Sequence, residues 1–184
     1  MHLEGLTKLE DIRALSSVEA VEANLRLSGL HSLALLDGLD SLQTVGGRIL
    51  LQRADALSSI SALGALTEVG GDLTIASAPS LPSLAGLQSL ETVGGRFSLL
   101  LLPSLVDLDE LSSLSLVGRG LRVRGNDALV DIGQLIDLDV PEAGCIVEHN
   151  PSLPQCHVEE ILDALAEEGC PNGTVAFYNG EECP

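Results

Sequence analysis

The chain has 184 residues and is 45% hydrophobic, yet it holds only two Phe, one Tyr and no Trp, so its core must be filled by aliphatic side chains. Its formal net charge of −18, from 27 acids against nine Lys and Arg, excludes nucleic acid as an expected partner. The longest apolar run, Leu99 to Leu102, is far too short to span a bilayer, and membrane insertion is not expected.

One period organises the sequence. Val21, Val45, Val69, Val93 and Val117 recur every 24 residues, and three of them open an identical tripeptide, Val45-Gly46-Gly47, Val69-Gly70-Gly71 and Val93-Gly94-Gly95. A period in this range predicts a solenoid whose turns bury their apolar edges only by stacking on one another. Met1 and Leu3 fall on the two inward strand columns of a turn preceding the first valine. The solenoid is therefore expected to begin in mid-strand, as a piece of a longer exported protein or a chain whose start was assigned late would. No basic start followed by an apolar run, the mark of a secretory signal, occurs here.

Four residues after each valine the column reads Leu25, Ile49, Leu73, Phe97, Leu121, Cys145, and six after it reads Leu27, Leu51, Ile75, Leu99, Val123, Val147. Apolar residues two apart are the inward face of a short strand, and about six strands in parallel register are predicted. Leucine or a close equivalent then recurs every three residues, as in Leu57, Ile60, Leu63, Leu66 and Val69, which suits a wound return path with inward corners. The glycine pair is predicted to supply a positive-φ corner into the next strand. Where it decays, at Val117-Gly118-Arg119 and Val21-Glu22-Ala23, the corner must change shape.

After the last turn, His157 to Glu168 places Val158, Ile161, Leu162 and Leu165 on one helical face and Glu159, Glu160, Asp163 and Glu167 on the other, with Gly169 placed to end it. This predicts a helix laid over the open end of the solenoid. Thr174 to Tyr178 reads as a short strand and Asn179-Gly180 as a turn. The four cysteines, Cys145, Cys156, Cys170 and Cys183, lie in the same terminal region, and sequence alone permits three pairings. A zinc site with His149 and His157 would require close ligand pairs such as Cys-x-x-Cys, which this spacing lacks. A disulfide-stapled cap is the better reading, and it implies an oxidising compartment, extracellular or in the cell envelope.

The repeating Leu-x-x-Leu-x-x-Val-Gly-Gly-x-Leu-x-Ile pattern, and the closing stretch Asn150-Pro151-Ser152-Leu153-Pro154-Gln155-Cys156, resemble the receptor L-domain family of the bacterial surface-protein type. The resemblance implies a right-handed parallel β-helix of leucine-rich-repeat-like turns over residues 1–155. A cap over 156–184, with a helix over 157–168 and a short strand, would belong to the same domain. By the same resemblance Cys156 pairs with Cys183, leaving Cys145 with Cys170. The asparagine that family turns carry after the strand survives as Asn126 and Asn150, with Leu30, Ala54, Ala78 and Leu102 in the other turns.

Seven of the nine basic residues, Arg26, Arg48, Arg53, Arg96, Arg119, Arg122 and Arg124, lie in or beside the predicted strands, while the acids crowd the return path and cap. Arg26 and Arg122 share an outward column and Arg124 lies two residues further on, so a patchy basic face is expected. Leu50, Leu100 and Leu101 add apolar surface to it. The candidate ligand-binding residues are thus Arg26, Leu50, Arg53, Leu100, Arg122 and Arg124, facing a protein or an anionic glycan that guanidinium forks would grip. On the plainer reading the arginines pair with neighbouring acids and keep the sheet soluble.

The outward columns carry no paired carboxylates, and His2, His31, His149 and His157 fall in different turns without a nucleophilic partner. A non-enzymatic recognition module without a cofactor or metal is the expected function. A structural or adhesive element of the cell envelope is the alternative, and a degenerate polysaccharide-acting β-helix a weaker one. The N-terminal turn has nothing in the sequence to shield Leu3, Leu6, Leu25 and Leu27, and self-association through it is expected.

Overall fold

The computed structural model describes residues 1–141, 144–168, 170, 174–177 and 179–180, which form a parallel β-solenoid of about six turns. The principal sheet has eight strands: His2–Glu4, Leu25–Ser28, Ile49–Gln52, Leu73–Ala76, Phe97–Leu100, Leu121–Arg124, Cys145–Glu148 and Thr174–Phe177, adjacent in sequence order. The 24-residue period is its register. Leu25 lies beside Ile49, Ile49 beside Leu73, Leu73 beside Phe97, Phe97 beside Leu121 and Leu121 beside Cys145. Only the last strand leaves it, because a helix intervenes before Thr174 pairs with Cys145.

A second sheet, not anticipated from the sequence, runs along the opposite edge of the glycine corner. Its two-residue strands, Ala20–Val21, Thr44–Val45, Glu68–Val69, Thr92–Val93 and Leu116–Val117, carry the period-marking valines as their inward residues. Strands so short cannot hold a sheet alone. They are held by the aliphatic stack beneath, in which Leu57, Ile60, Leu66 and Val69 of one turn lie on Leu81, Leu84, Leu90 and Val93 of the next, all 0% exposed. Each such side chain contributes about 1.5–3 kcal/mol on burial.

The glycine pair does not supply the positive-φ corner. Gly46, Gly70 and Gly94 are absent from the left-handed residues of the backbone. They are needed for close approach instead. A β-carbon on Gly70 would come closer than 3.0 Å to the carbonyl oxygen of Gly46, and Gly94 and Gly118 repeat that relation one turn on. The glycine Cα–H thus points at a carbonyl one turn back, a contact that recurs between closely stacked chains.

The left-handed corner sits at the far end of the principal strand. Gly5, Gly29, Arg53, Ser77, Leu101, Gly125 and His149 all have φ between 51° and 70°, at the same place in successive turns. In the return path, short 3-10 helices at Arg13–Leu15, Ser61–Leu63, Asp109–Leu111 and Gly133–Leu135 shape four of the turns. Asp11, Asp107 and Asp131 each accept the backbone N–H two residues on, at 2.6, 3.3 and 2.7 Å, so part of the acidic crowding there is turn chemistry. The two intervening turns use Gly38 and Gly86, at φ 112° and 119°. Each presses against the carbonyl of the residue that opens the 3-10 helix one turn back, Ile12 or Ile60.

At the C-terminal end the helix Gln155–Glu168 buries Val158, Ile161, Leu162 and Leu165, as its periodicity predicts. Cys145 is bonded to Cys170 with a Cα separation of 5.9 Å. Cys156 is not a free thiol, and the expected Cys156–Cys183 pairing, together with Gly169 and Tyr178, lies outside the described residues. Gly180 bridges to Pro154 and Asn179 completes a ladder, while the residues on either side of the expected Asn179-Gly180 turn lie outside the described ones. Asn126 Oδ1 accepts the Leu102 N–H at 3.0 Å, Asn150 Oδ1 accepts the Asn126 N–H at 3.0 Å, and Asn179 Oδ1 accepts the Asn150 N–H at 3.3 Å.

Replacing Gly70 by Ala should cost about 1–3 kcal/mol, because the added methyl meets stacked backbone that cannot move without parting two turns. Gly64→Ala is the control, since its β-carbon would meet nothing nearer than 3.4 Å. Urea unfolding of the two variants checks this, and equal stability would remove the close-approach account.

Candidate functional site

The outward face of the principal sheet alternates with the buried one because successive strand residues point to opposite sides. Arg26, Leu50, Thr74, Ser98, Arg122 and Ile146 form one outward row. Ser28, Gln52, Ala76, Leu100, Arg124 and Glu148 form the other. Arg26 and Arg122 stand four turns apart, about 19 Å at the spacing of paired strands, and do not converge.

Each of these arginines meets a carboxylate. Arg26 Nη2 lies 3.0 Å from Glu4 Oε1, and Glu148 Oε1 receives Arg122 Nη2 at 3.5 Å and Arg124 Nε at 3.4 Å. Arg53 is not a strand residue. It occupies the left-handed corner, and its Nη2 reaches back 3.4 Å to the buried Ser28 Oγ. Leu50 and Leu100 are half-buried in the middle of the face. The sequence-derived candidates therefore divide into cations already engaged at the two ends and apolar side chains between them.

A groove of about 440 Å³ lies where the sheet turns through its left-handed corner, lined by Ser77, Leu101, Gly125 and His149 of that column. Asp55, Pro79, Pro103 and Asp127, two residues further on in successive turns, form its other wall. Leu101 stands out. Its side chain is 57% exposed, and its φ of 56° belongs to a region that bulky side chains enter at a cost of about 1–2 kcal/mol. The side chain leans over the next turn, where a β-carbon on Gly125 would come within 2.8 Å of Leu101 Cδ2. The fold imposes this backbone shape on every turn, and Gly5, Gly29 and Gly125 meet it without strain. A leucine in that place is spent on exposed apolar surface.

Polar groups frame the groove. His31 Nδ1 lies 2.7 Å from Asp55 Oδ2 at one end. At the other end Asp127 is exposed, and its carboxylate has no partner among the described residues. The wall residues Asp55, Pro79, Pro103 and Asp127 were not among the sequence-derived candidates. The available signal was their 24-residue spacing, two residues after a column containing three glycines. Among the described residues no three His, Cys, Asp or Glu side chains group so as to hold a metal ion, and no helix is long and apolar enough to cross a membrane.

Compared with protein-family models, with curated proteins and with solved structures, the chain matches none.

If Leu101 is there for its surface and not for the fold, Leu101→Gly should be no less stable than the parent, and more stable by up to about 1 kcal/mol as strain is released against the entropy of glycine. Urea denaturation reads this directly. A loss of the size expected for truncating a core leucine would make Leu101 a structural residue.

Proposed function

We propose that this chain is a non-enzymatic recognition module of receptor L-domain type, as in bacterial surface proteins, acting outside the cell or in its envelope. It presents the principal sheet and the groove at its corner to a protein ligand. The observation that carries the reading is Leu101, an exposed leucine held in an unfavourable backbone conformation within a groove. Of the four non-glycine residues at that left-handed corner, Leu101 alone is large and apolar, and strain accepted for an exposed apolar side chain is a pointer to use. A protein ligand is favoured over an anionic glycan because Arg26, Arg122 and Arg124 already meet Glu4 and Glu148, while Leu50 and Leu100 between them and Leu101 at the corner offer apolar surface. The Cys145–Cys170 disulfide supports an oxidising compartment.

Panning a library of random heptapeptides on the immobilised protein, with counter-selection on Leu101→Gly, should enrich sequences that bind the parent and fail on the variant. Enrichment of none, or only of clones indifferent to Leu101, would sink the reading.

A second reading, self-association within an envelope assembly, is favoured by the first turn. Among the described residues its strand His2–Glu4 pairs with Leu25–Ser28 alone, Leu3 is half-buried, and Leu6 is 46% exposed. Such an edge can accept another chain. Light scattering should then show a dimer or larger species that Leu3→Lys converts to monomer, and a monomeric parent at high concentration would eliminate it.

A further inference from the structure

Resting on the proposal that the groove binds protein, we infer that its ligand is an extended basic segment, with one apolar side chain between two cationic ones, running along the solenoid axis. The groove is acidic at both ends and apolar between. Asp55 and Asp127 stand on the same column, and Pro79, Leu101 and Pro103 lie between them. The neighbouring cations are turned away: Arg53 reaches Ser28, and Arg124 lies against Glu148. The surrounding body, at a formal −18, adds to the field a cationic ligand would feel.

Spacing narrows the ligand further. Asp55 and Asp127 are three turns apart, about 14 Å at the separation of paired strands. An extended peptide advances about 13 Å in four residues, and its residues i, i+2 and i+4 point to one side. A Lys-x-Leu-x-Lys segment thus places its two ammonium groups at Asp127 and Asp55. Its leucine enters the space between Pro79 and Pro103, against the Leu101 side chain. Among the described residues the Asp127 carboxylate has no partner and faces solvent, and Asp55, bonded to His31 through Oδ2, still offers Oδ1. In an extended segment a lysine one position nearer would point to the opposite side and miss the second carboxylate.

The test is fluorescence anisotropy with a dye-labelled heptapeptide carrying Lys, Leu and Lys at its second, fourth and sixth positions and serine elsewhere. Three comparison peptides replace both lysines by glutamate, replace the leucine by serine, or move the second lysine one position nearer. The expected result is saturable binding at least tenfold tighter than any comparison peptide, weakened at least tenfold by Leu101→Gly and by Asp127→Asn. Thermal melts of both variants should match the parent or exceed it, which separates lost contact from lost fold. Equal binding of the leucine-free or respaced peptide would reduce the effect to unspecific charge and overturn the inference, as would preference for the glutamate peptide. The two proposals fail separately. Panning that yields Leu101-dependent clones without flanking cations leaves the recognition module standing and removes the basic ligand, whereas panning without Leu101-dependent clones removes both.

Discussion

Every residue of the solenoid has, as its neighbour along the axis, the residue in the same position of the adjacent turn, at the spacing of two hydrogen-bonded strands, about 4.8 Å. This single constraint governs the chain. A column must be filled by something that packs against its own copies at that distance. Aliphatic side chains do so inside, which is why the core has almost no aromatic residues. At the glycine corner nothing larger than hydrogen fits between one turn's carbonyl and the next turn's Cα.

The same constraint settles where the polar groups go. Serine and threonine hydroxyls of the return path donate across turns, as Ser58 does to the Ala34 carbonyl at 3.3 Å, Thr67 to Gln43 at 3.2 Å and Ser104 to Pro79 at 2.6 Å. Asn126, Asn150 and Asn179 do so inside, where an amide can both accept from the next chain and donate to a carbonyl. Where Leu30, Ala54, Ala78 and Leu102 take that column, packing replaces the amide ladder. A departure from a column's own logic is therefore conspicuous, and Leu101, among glycine, serine and polar residues at the left-handed corner, is one.

Much of the fold was legible because periodicity is a property of the sequence itself. The inward columns, the parallel register and the buried face of the terminal helix follow from spacing alone. The role of the glycine pair is not legible in the sequence, because both a positive φ and a close approach favour glycine, and only the position of neighbouring backbone distinguishes them. The second sheet leaves no mark in the sequence because two residues show no alternation. The groove was half legible: Leu100, Leu101 and Arg53 drew attention as strand-side residues, but the wall formed by Asp55, Pro79, Pro103 and Asp127 exists only once the corner is turned in space. The engagement of Arg26, Arg122 and Arg124 by Glu4 and Glu148 was equally invisible as geometry, although it is what a solvated face of mixed charge produces.

The alternation of return turns bears on how such a molecule changes length. Gly38 and Gly86 fit because the turn beneath each opens its 3-10 helix with a carbonyl in the right place, at Ile12 and at Ile60. The other edge keeps the same rhythm, with the Arg48 N–H bonded to Asn24 Oδ1 and the Arg96 N–H to Asp72 Oδ1. Through this part of the chain the structural unit is a pair of unlike turns, 48 residues long, although the sequence announces 24. Duplication or loss of a pair keeps each glycine turn stacked on a 3-10 turn, whereas gain or loss of one turn sets like against like, as the fold does only further on, where Gly133–Leu135 follows Asp109–Leu111. Even steps are thus the changes of length that leave the glycine contacts of this region intact.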